Sequence, residues 1–217
     1  MQQLSERVFK LSPPGGLFDE TVLKNLFPEA TKGALKLLVH RASKKGEILR
    51  LKPGLYILEK ELSKTNAHPF AVAAMLHSPS NVSLESALSF HGLIPEAVFQ
   101  VSSVTLQRSR TYHTPLGVFM FLRVPSNQLR AGIEAVKLSD NFWAFVATPL
   151  RAIADLVYLS KRITWNENGL SYLTESLRIE KDDLPKISFD FFETVFESIR
   201  DRRTKEYLIG LKKELSP

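Results

Sequence analysis

Five histidines, His40, His68, His77, His91 and His113, are the side chains of this 217-residue chain best suited to ligate a metal or move a proton. None stands at a ligand spacing, and His68 and His77, nine positions apart, do not align on one helix face. Cysteine is absent, which excludes disulfides, thiolate metal sites and a cysteine nucleophile and makes a reducing cytoplasm the expected compartment. Gly15-Gly16 is followed by no lysine of the P-loop type. Glu134 and Lys137 lack the spacing of the acid-and-lysine cluster of a metal-dependent nuclease, so residues 134–137 read as a surface salt-bridged segment. Ser83, Ser86, Ser89 and His91 gather before Gly92 and read as packing and capping groups. Asp155 follows Arg151 by four, the spacing of an ion pair within one helix. The sequence thus offers no catalytic residue, no metal ligand and no cofactor site, and the expectation is a protein that is not an enzyme.

The net charge of +6 is more informative in its placement than in its size. Between Thr31 and Leu55 stand Lys32, Lys36, Arg41, Lys44, Lys45, Arg50 and Lys52 against the single acid Glu47, which accounts for the whole excess. Such a patch on a neutral body is the electrostatic footprint of nucleic-acid binding, with a solvated helix face as the alternative.

The elements that must hold these cations follow from local signals. Leu4 to Leu11 is a short amphipathic stretch ended by Ser12-Pro13-Pro14-Gly15-Gly16. Asp19 is placed to cap a second helix reaching Phe27, with Pro28 after it, and Thr31 caps a third that closes at Gly46. At ~100° per residue, Ala34, Leu35, Leu38, Val39 and Ala42 share one face of that third helix. Lys32, Lys36, His40 and Lys44 climb the other, with Arg41 beside them. Two short strands, 47–51 and 55–58, flank the turn Lys52-Pro53-Gly54. Three helices and a hairpin make the winged helix-turn-helix plan, in which the third helix enters the major groove and the wing touches the neighbouring backbone. The expected DNA-binding residues are Lys32, Lys36, His40, Arg41, Lys44, Lys45, Arg50 and Lys52. The lysines suit phosphates, while Arg41 and His40, with planar donors, suit base edges.

A polar stretch over residues 60–69 places a boundary near residue 65, dividing a winged-helix domain (1–65) from an α+β domain (66–217) of mixed α/β character. There the pattern predicts helices over 69–77 and 83–91 and strands over 101–107, 118–124 and 142–147. The last two strands, VFMFLRV and FWAFVA, are apolar enough to be covered on both faces. Thr148-Pro149 opens a helix whose buried stripe is Leu150, Ile153, Ala154 and Val157, and residues 169–215 read as about three short helices broken near 182–186. No apolar run approaches the ~20 residues of a membrane span, and the first residues do not form a secretory signal, so the protein is expected to stay where it is made.

Four segments resemble, in order and spacing, the AbiEi-type antitoxin and transcriptional-regulator family. They are the hairpin Gly46 to Tyr56, the run Val82 to Ile94 (VSLESALSFHGLI), Thr114 to Phe119 (TPLGVF) and Ala147 to Leu156 (ATPLRAIADL). The resemblance implies a regulator that represses its own operon from a repeat-containing operator in double-stranded DNA. It further implies an antitoxin, of a type IV system, countering a co-encoded AbiEii-type nucleotidyltransferase-like toxin, with the second domain carrying antitoxicity. The alternative is a protein-interaction antitoxin or adaptor whose basic winged helix meets an acidic partner instead of DNA. No membrane partner is expected.

Overall fold

Side-chain caps start most of the helices where the sequence places them. In the computed structural model, which describes residues 4–63, 67–95, 100–139 and 142–216, α1 spans Leu4–Leu11 and a 3-10 turn at Pro14–Gly16 leads into the short strand β1, Leu17–Asp19. The Asp19 carboxylate accepts from the amides of Thr21 and Val22, each at 2.9 Å, and opens α2, Glu20–Leu26. The Thr31 hydroxyl accepts from the Ala34 amide at 3.2 Å and opens α3, Lys32–Lys44. β2 (Ile48–Lys52) and β3 (Leu55–Leu58) form the expected hairpin. β1 joins it from the other side, giving an antiparallel sheet of order β1-β3-β2.

This small sheet is covered on both faces, so β3 is buried along its whole length. Phe18, Ile48, Tyr56 and Leu58 pack towards the helices with Leu4, Val8, Leu23 and Phe27. Leu17, Leu51, Leu55 and Ile57 turn the other way and share a core with residues of the second half: Val72 and Leu76 of α4 (Pro69–Leu76) and the aromatic rings of Phe119, Phe121 and Phe142. The boundary expected near residue 65 falls at residues 64–66, outside the described residues.

The second half is built on a mixed six-stranded sheet of order β6-β7-β5-β4-β9-β8. Its strands are β4 Asn81–Val82, β5 Gln100–Thr105, β6 Arg110–Thr114, β7 Gly117–Arg123, β8 Ile133–Ser139 and β9 Phe142–Ala147. β4 pairs with β9, and β5 with β7, in parallel. Helix α5 (Leu84–Phe90) packs on β5, and α6 (Pro149–Leu159), capped by Thr148, carries the buried stripe Leu150, Ile153, Ala154 and Val157. α7 (Trp165–Asn168), α8 (Phe192–Ser198) and α9 (Arg202–Leu215) complete the core, together with a π turn at Tyr172–Ser176 and a 3-10 turn at Lys181–Lys186. The chain is α+β.

Residues 134–137, expected as a surface segment, form the middle of the edge strand β8, with Ala135 and Lys137 exposed. Two expectations need correction. β9 is not covered on both faces: Phe142, Ala144 and Val146 are buried while Trp143 and Phe145 are 60% and 43% exposed. Likewise β7 buries Phe119 and Phe121 and leaves Val118, Met120 and Leu122 half-covered.

Candidate nucleic-acid interface

Helix α3 touches the body through a narrow stripe. Ala42 is its single buried residue, and Leu35, Leu38 and Val39 are half-buried against the helix-side core. Ala34, expected on that stripe, lies in the first turn and is exposed. The rest of the helix stands clear: Lys32, Lys36, His40, Arg41 and Lys44 are exposed, and α3 contains no acidic residue. Leu37, 48% exposed, sits among them at positions three and four from His40 and Arg41.

Local contacts fix the helix in this attitude. The Arg7 guanidinium lies 4.4 Å over the Phe27 ring and donates to the Leu26 carbonyl at 2.6 Å, tying α1 to the end of α2. Ser5 donates to Glu47 at 2.8 Å, and Glu47 also meets Lys45 at 3.7 Å, which offsets part of the charge at the helix C-terminus. A groove between α2 and α3 is lined by Glu20, Leu23, Lys24, Lys32, Lys36 and Tyr56, among others. Lys24 thereby joins the cationic surface. It stands outside the basic run at 31–55, so only the packing of α2 beside α3 reveals it.

The hairpin divides its two cations. Arg50 is exposed and stands directly opposite Tyr56, hence on the face that carries α3. Lys52, expected on phosphate, is half-buried, and its Nζ donates to the carbonyls of Leu76 (2.8 Å) and Met75 (3.0 Å) at the end of α4. The last carbonyls of a helix lack intrahelical partners and carry partial negative charge, so they draw a nearby lysine inward. The turn itself is seated: Gly54, at φ +82, accepts from the Glu20 amide at 3.2 Å. Of the eight expected DNA-binding residues, seven are exposed (Lys32, Lys36, His40, Arg41, Lys44, Lys45 and Arg50) and Lys52 is a tether between the two halves.

His77 lies at the same junction, its ring 4.9 Å from that of Phe121 and 6.3 Å from that of Tyr112. Burial, and then the charges of Arg110 and Lys52, hold its imidazole below the ordinary histidine range, in the neutral form.

The pairing expected of Arg151 and Asp155 exists, but in the interior: both are 1% exposed and Nε donates to the carboxylate at 2.9 Å. Arg151 Nη1 also donates to the Ala131 carbonyl and the Ser198 hydroxyl, and Ser83 donates to the second Asp155 oxygen at 2.7 Å. Ser83, Arg151 and Asp155 thus join α5, α6 and the end of α8 in a network buried from solvent. Ser86 accepts from the Ser102 amide, and His91 Nε2 meets the Ala147 carbonyl at 2.9 Å, so both link α5 to the sheet, while Ser83 at the start of α5 makes no side-chain cap. Among the described residues no three His, Asp or Glu side chains are grouped to hold a metal ion. Nor, among the described residues, is any helix long and apolar enough to cross a membrane.

Compared with known proteins, the chain matches no family model and no curated sequence.

Proposed function

We propose that the chain is a DNA-binding transcriptional regulator that uses its first 63 residues as a winged helix, with α3 as the reading helix. The observation that carries this is the exposed, acid-free face of α3, on which Lys32, Lys36, His40, Arg41 and Lys44 surround Leu37. The lysines and Arg50 neutralise phosphates, giving affinity and salt dependence; Arg41 and His40 present planar donors to base edges, and Leu37 offers an apolar contact of the kind thymine methyl groups receive. The short tethered turn at Lys52 leaves the wing a small part of this interface.

Through the four family-like segments the reading extends to an autorepressor and antitoxin of AbiEi type, acting against a nucleotidyltransferase-like toxin. Titration of the operon's upstream DNA and of random DNA at several salt concentrations tests it. Tighter, salt-sensitive binding to the upstream DNA is expected; binding with neither sequence preference nor salt slope refutes it. Arg41→Ala is expected to relax sequence preference, whereas Lys44→Ala weakens binding to all duplexes alike. The exposed Leu37 amid cations also fits an acidic protein partner, and a complex that co-purifies free of DNA is the outcome that favours this second reading.

A further inference from the structure

On the outer face of β9 two large aromatic side chains meet water side by side. Trp143, at 60%, is the most exposed large hydrophobic side chain among the described residues, and Phe145, two positions on, is 43% exposed on the same face. Alternation along a strand sets such neighbours about 7 Å apart. On the adjoining strand β8, Lys137 stands directly opposite Trp143 and Ala135 opposite Phe145, both exposed. The small alanine leaves one flank of Phe145 open.

The other flank is built. The Arg130 guanidinium lies 3.4 Å over the Phe145 ring. Its Nη1 donates to Oδ1 of Asn81, a residue 1% exposed, whose own Nδ2 donates to the Leu129 carbonyl at 2.9 Å. A buried amide thus holds a planar cation flat against an exposed aromatic ring. The sequence from Gln100 to Ile133 contains no acidic residue. Glu134 stands opposite the buried Val146 and so belongs to the other face, while Asp140 lies outside the described residues.

We propose that this face is a stacking platform for the unpaired bases of single-stranded RNA. Trp143 and the Phe145–Arg130 pair present two adjacent planar surfaces, and the Arg130 guanidinium supplies positive charge for the backbone beside them. Aromatic rings and guanidinium planes are the surfaces on which single-stranded bases stack, with tolerance of sequence, since every base has a π face. Chromosomal DNA keeps its bases paired and inside the helix, so accessible bases come chiefly from RNA loops and ends. The site is separate from α3 and independent of the DNA reading.

The chain has two tryptophans, and Trp165 packs edge-on against Tyr207, so tryptophan emission reports on the platform. Oligouridylate of about 12 nucleotides is the probe. It is expected to quench the wild type and Trp165→Phe. Trp143→Leu is expected to lose the quench and about ten-fold or more in affinity, measured by anisotropy of labelled RNA. Arg130→Lys, which keeps the charge and loses the plane, is expected to bind more weakly than wild type. Lys36→Ala with Arg41→Ala should leave the quench unchanged, and loss of it would place RNA on α3 instead. Tighter binding of oligothymidylate than of oligouridylate overturns the assignment to RNA. Absence of any quench overturns the platform. So does a self-association that Trp143→Arg abolishes, which would give the face to a second copy of the chain.

Discussion

Replacing Lys52 by methionine separates the two roles a cation at the hairpin turn can have. Methionine keeps the apolar stem and removes the ammonium, which donates to the Met75 and Leu76 carbonyls at 3.0 and 2.8 Å. Hydrogen bonds to a charged group are worth about 1.5–3 kcal/mol and a cation at a helix C-terminus about 0.3–1. With Lys52 half-buried, solvent takes back part of this, and the expected loss of folding stability is about 1–2 kcal/mol. Its DNA binding should keep the wild-type salt slope. Lys44→Ala is the mirror image, because Lys44 is exposed at the end of α3: stability changes by less than about 0.5 kcal/mol, and the slope falls by about 0.9. If Lys32, Lys36, Lys44 and Arg50 each neutralise one phosphate, the wild-type slope is about −3.6, and affinity falls about 150-fold between 50 and 200 mM salt. Without Lys44 the fall is about 40-fold. Urea unfolding gives the stabilities, and anisotropy of a labelled duplex across that salt range gives the slopes. A Lys52→Met protein of wild-type stability whose slope has dropped by about 0.9 would refute the tether and return Lys52 to the phosphates.

Other substitutions probe the body of the fold. Helix propensity alone makes Gly210→Ala stabilising by about 0.8–1 kcal/mol, but the new Cβ would lie 2.2–2.4 Å from the Trp165 ring, and overpacking of that kind costs about 1–3 kcal/mol; net destabilisation is expected in urea melts, turning to stabilisation in a Trp165→Ala background. Asp155→Ala strands the Arg151 charge in the interior and should cost about 3–5 kcal/mol, with Arg151→Met added in the same chain recovering a measurable part. Burial alone would lift the Asp201 carboxyl, but the Thr204 hydroxyl and amide at 2.6 and 3.0 Å, with Arg203 and Lys161, outweigh it and hold the group below the ordinary carboxylate range. Its capping of α9 therefore stabilises the fold above that range and is lost as pH falls through the depressed value. Asp201→Ala should cost about 1 kcal/mol at neutral pH, a difference that closes in acid unfolding curves.

Much of the chain could be read without coordinates because its punctuation is local. Asp19, Thr31 and Thr148 mark helix starts by chemistry that acts within three residues, and Gly46 and Gly54 take the positive φ their turns need. What escaped reading depends on distant partners. β1 is three residues, LFD, and is a strand only because β3 lies beside it. β8 mixes Glu134 and Lys137 into an apolar run and is legible as a strand only once β9 pairs with it. FWAFVA looks like a strand with two covered faces because composition registers hydrophobicity and not what lies opposite. At the candidate site, helical spacing sorted the α3 cations correctly. The carbonyls that claim Lys52 are 23 and 24 residues away, beyond the reach of any local rule.

The double-sided burial of the small sheet bears on how this molecule can be taken apart. A fragment ending at Ser63 would keep α3 and its cations but bare Leu17, Leu51, Leu55 and Ile57, which now meet Val72, Leu76 and the three phenylalanines of the larger sheet. Those side chains would make a sticky floor beneath α3, inviting aggregation and indiscriminate adhesion. Likewise the larger sheet, cut free, would lose the roof over Phe119, Phe121 and Phe142. Point substitutions that leave this seam closed are the sound way to assign tasks to either half, and grafting α3 onto another body means carrying the seam with it.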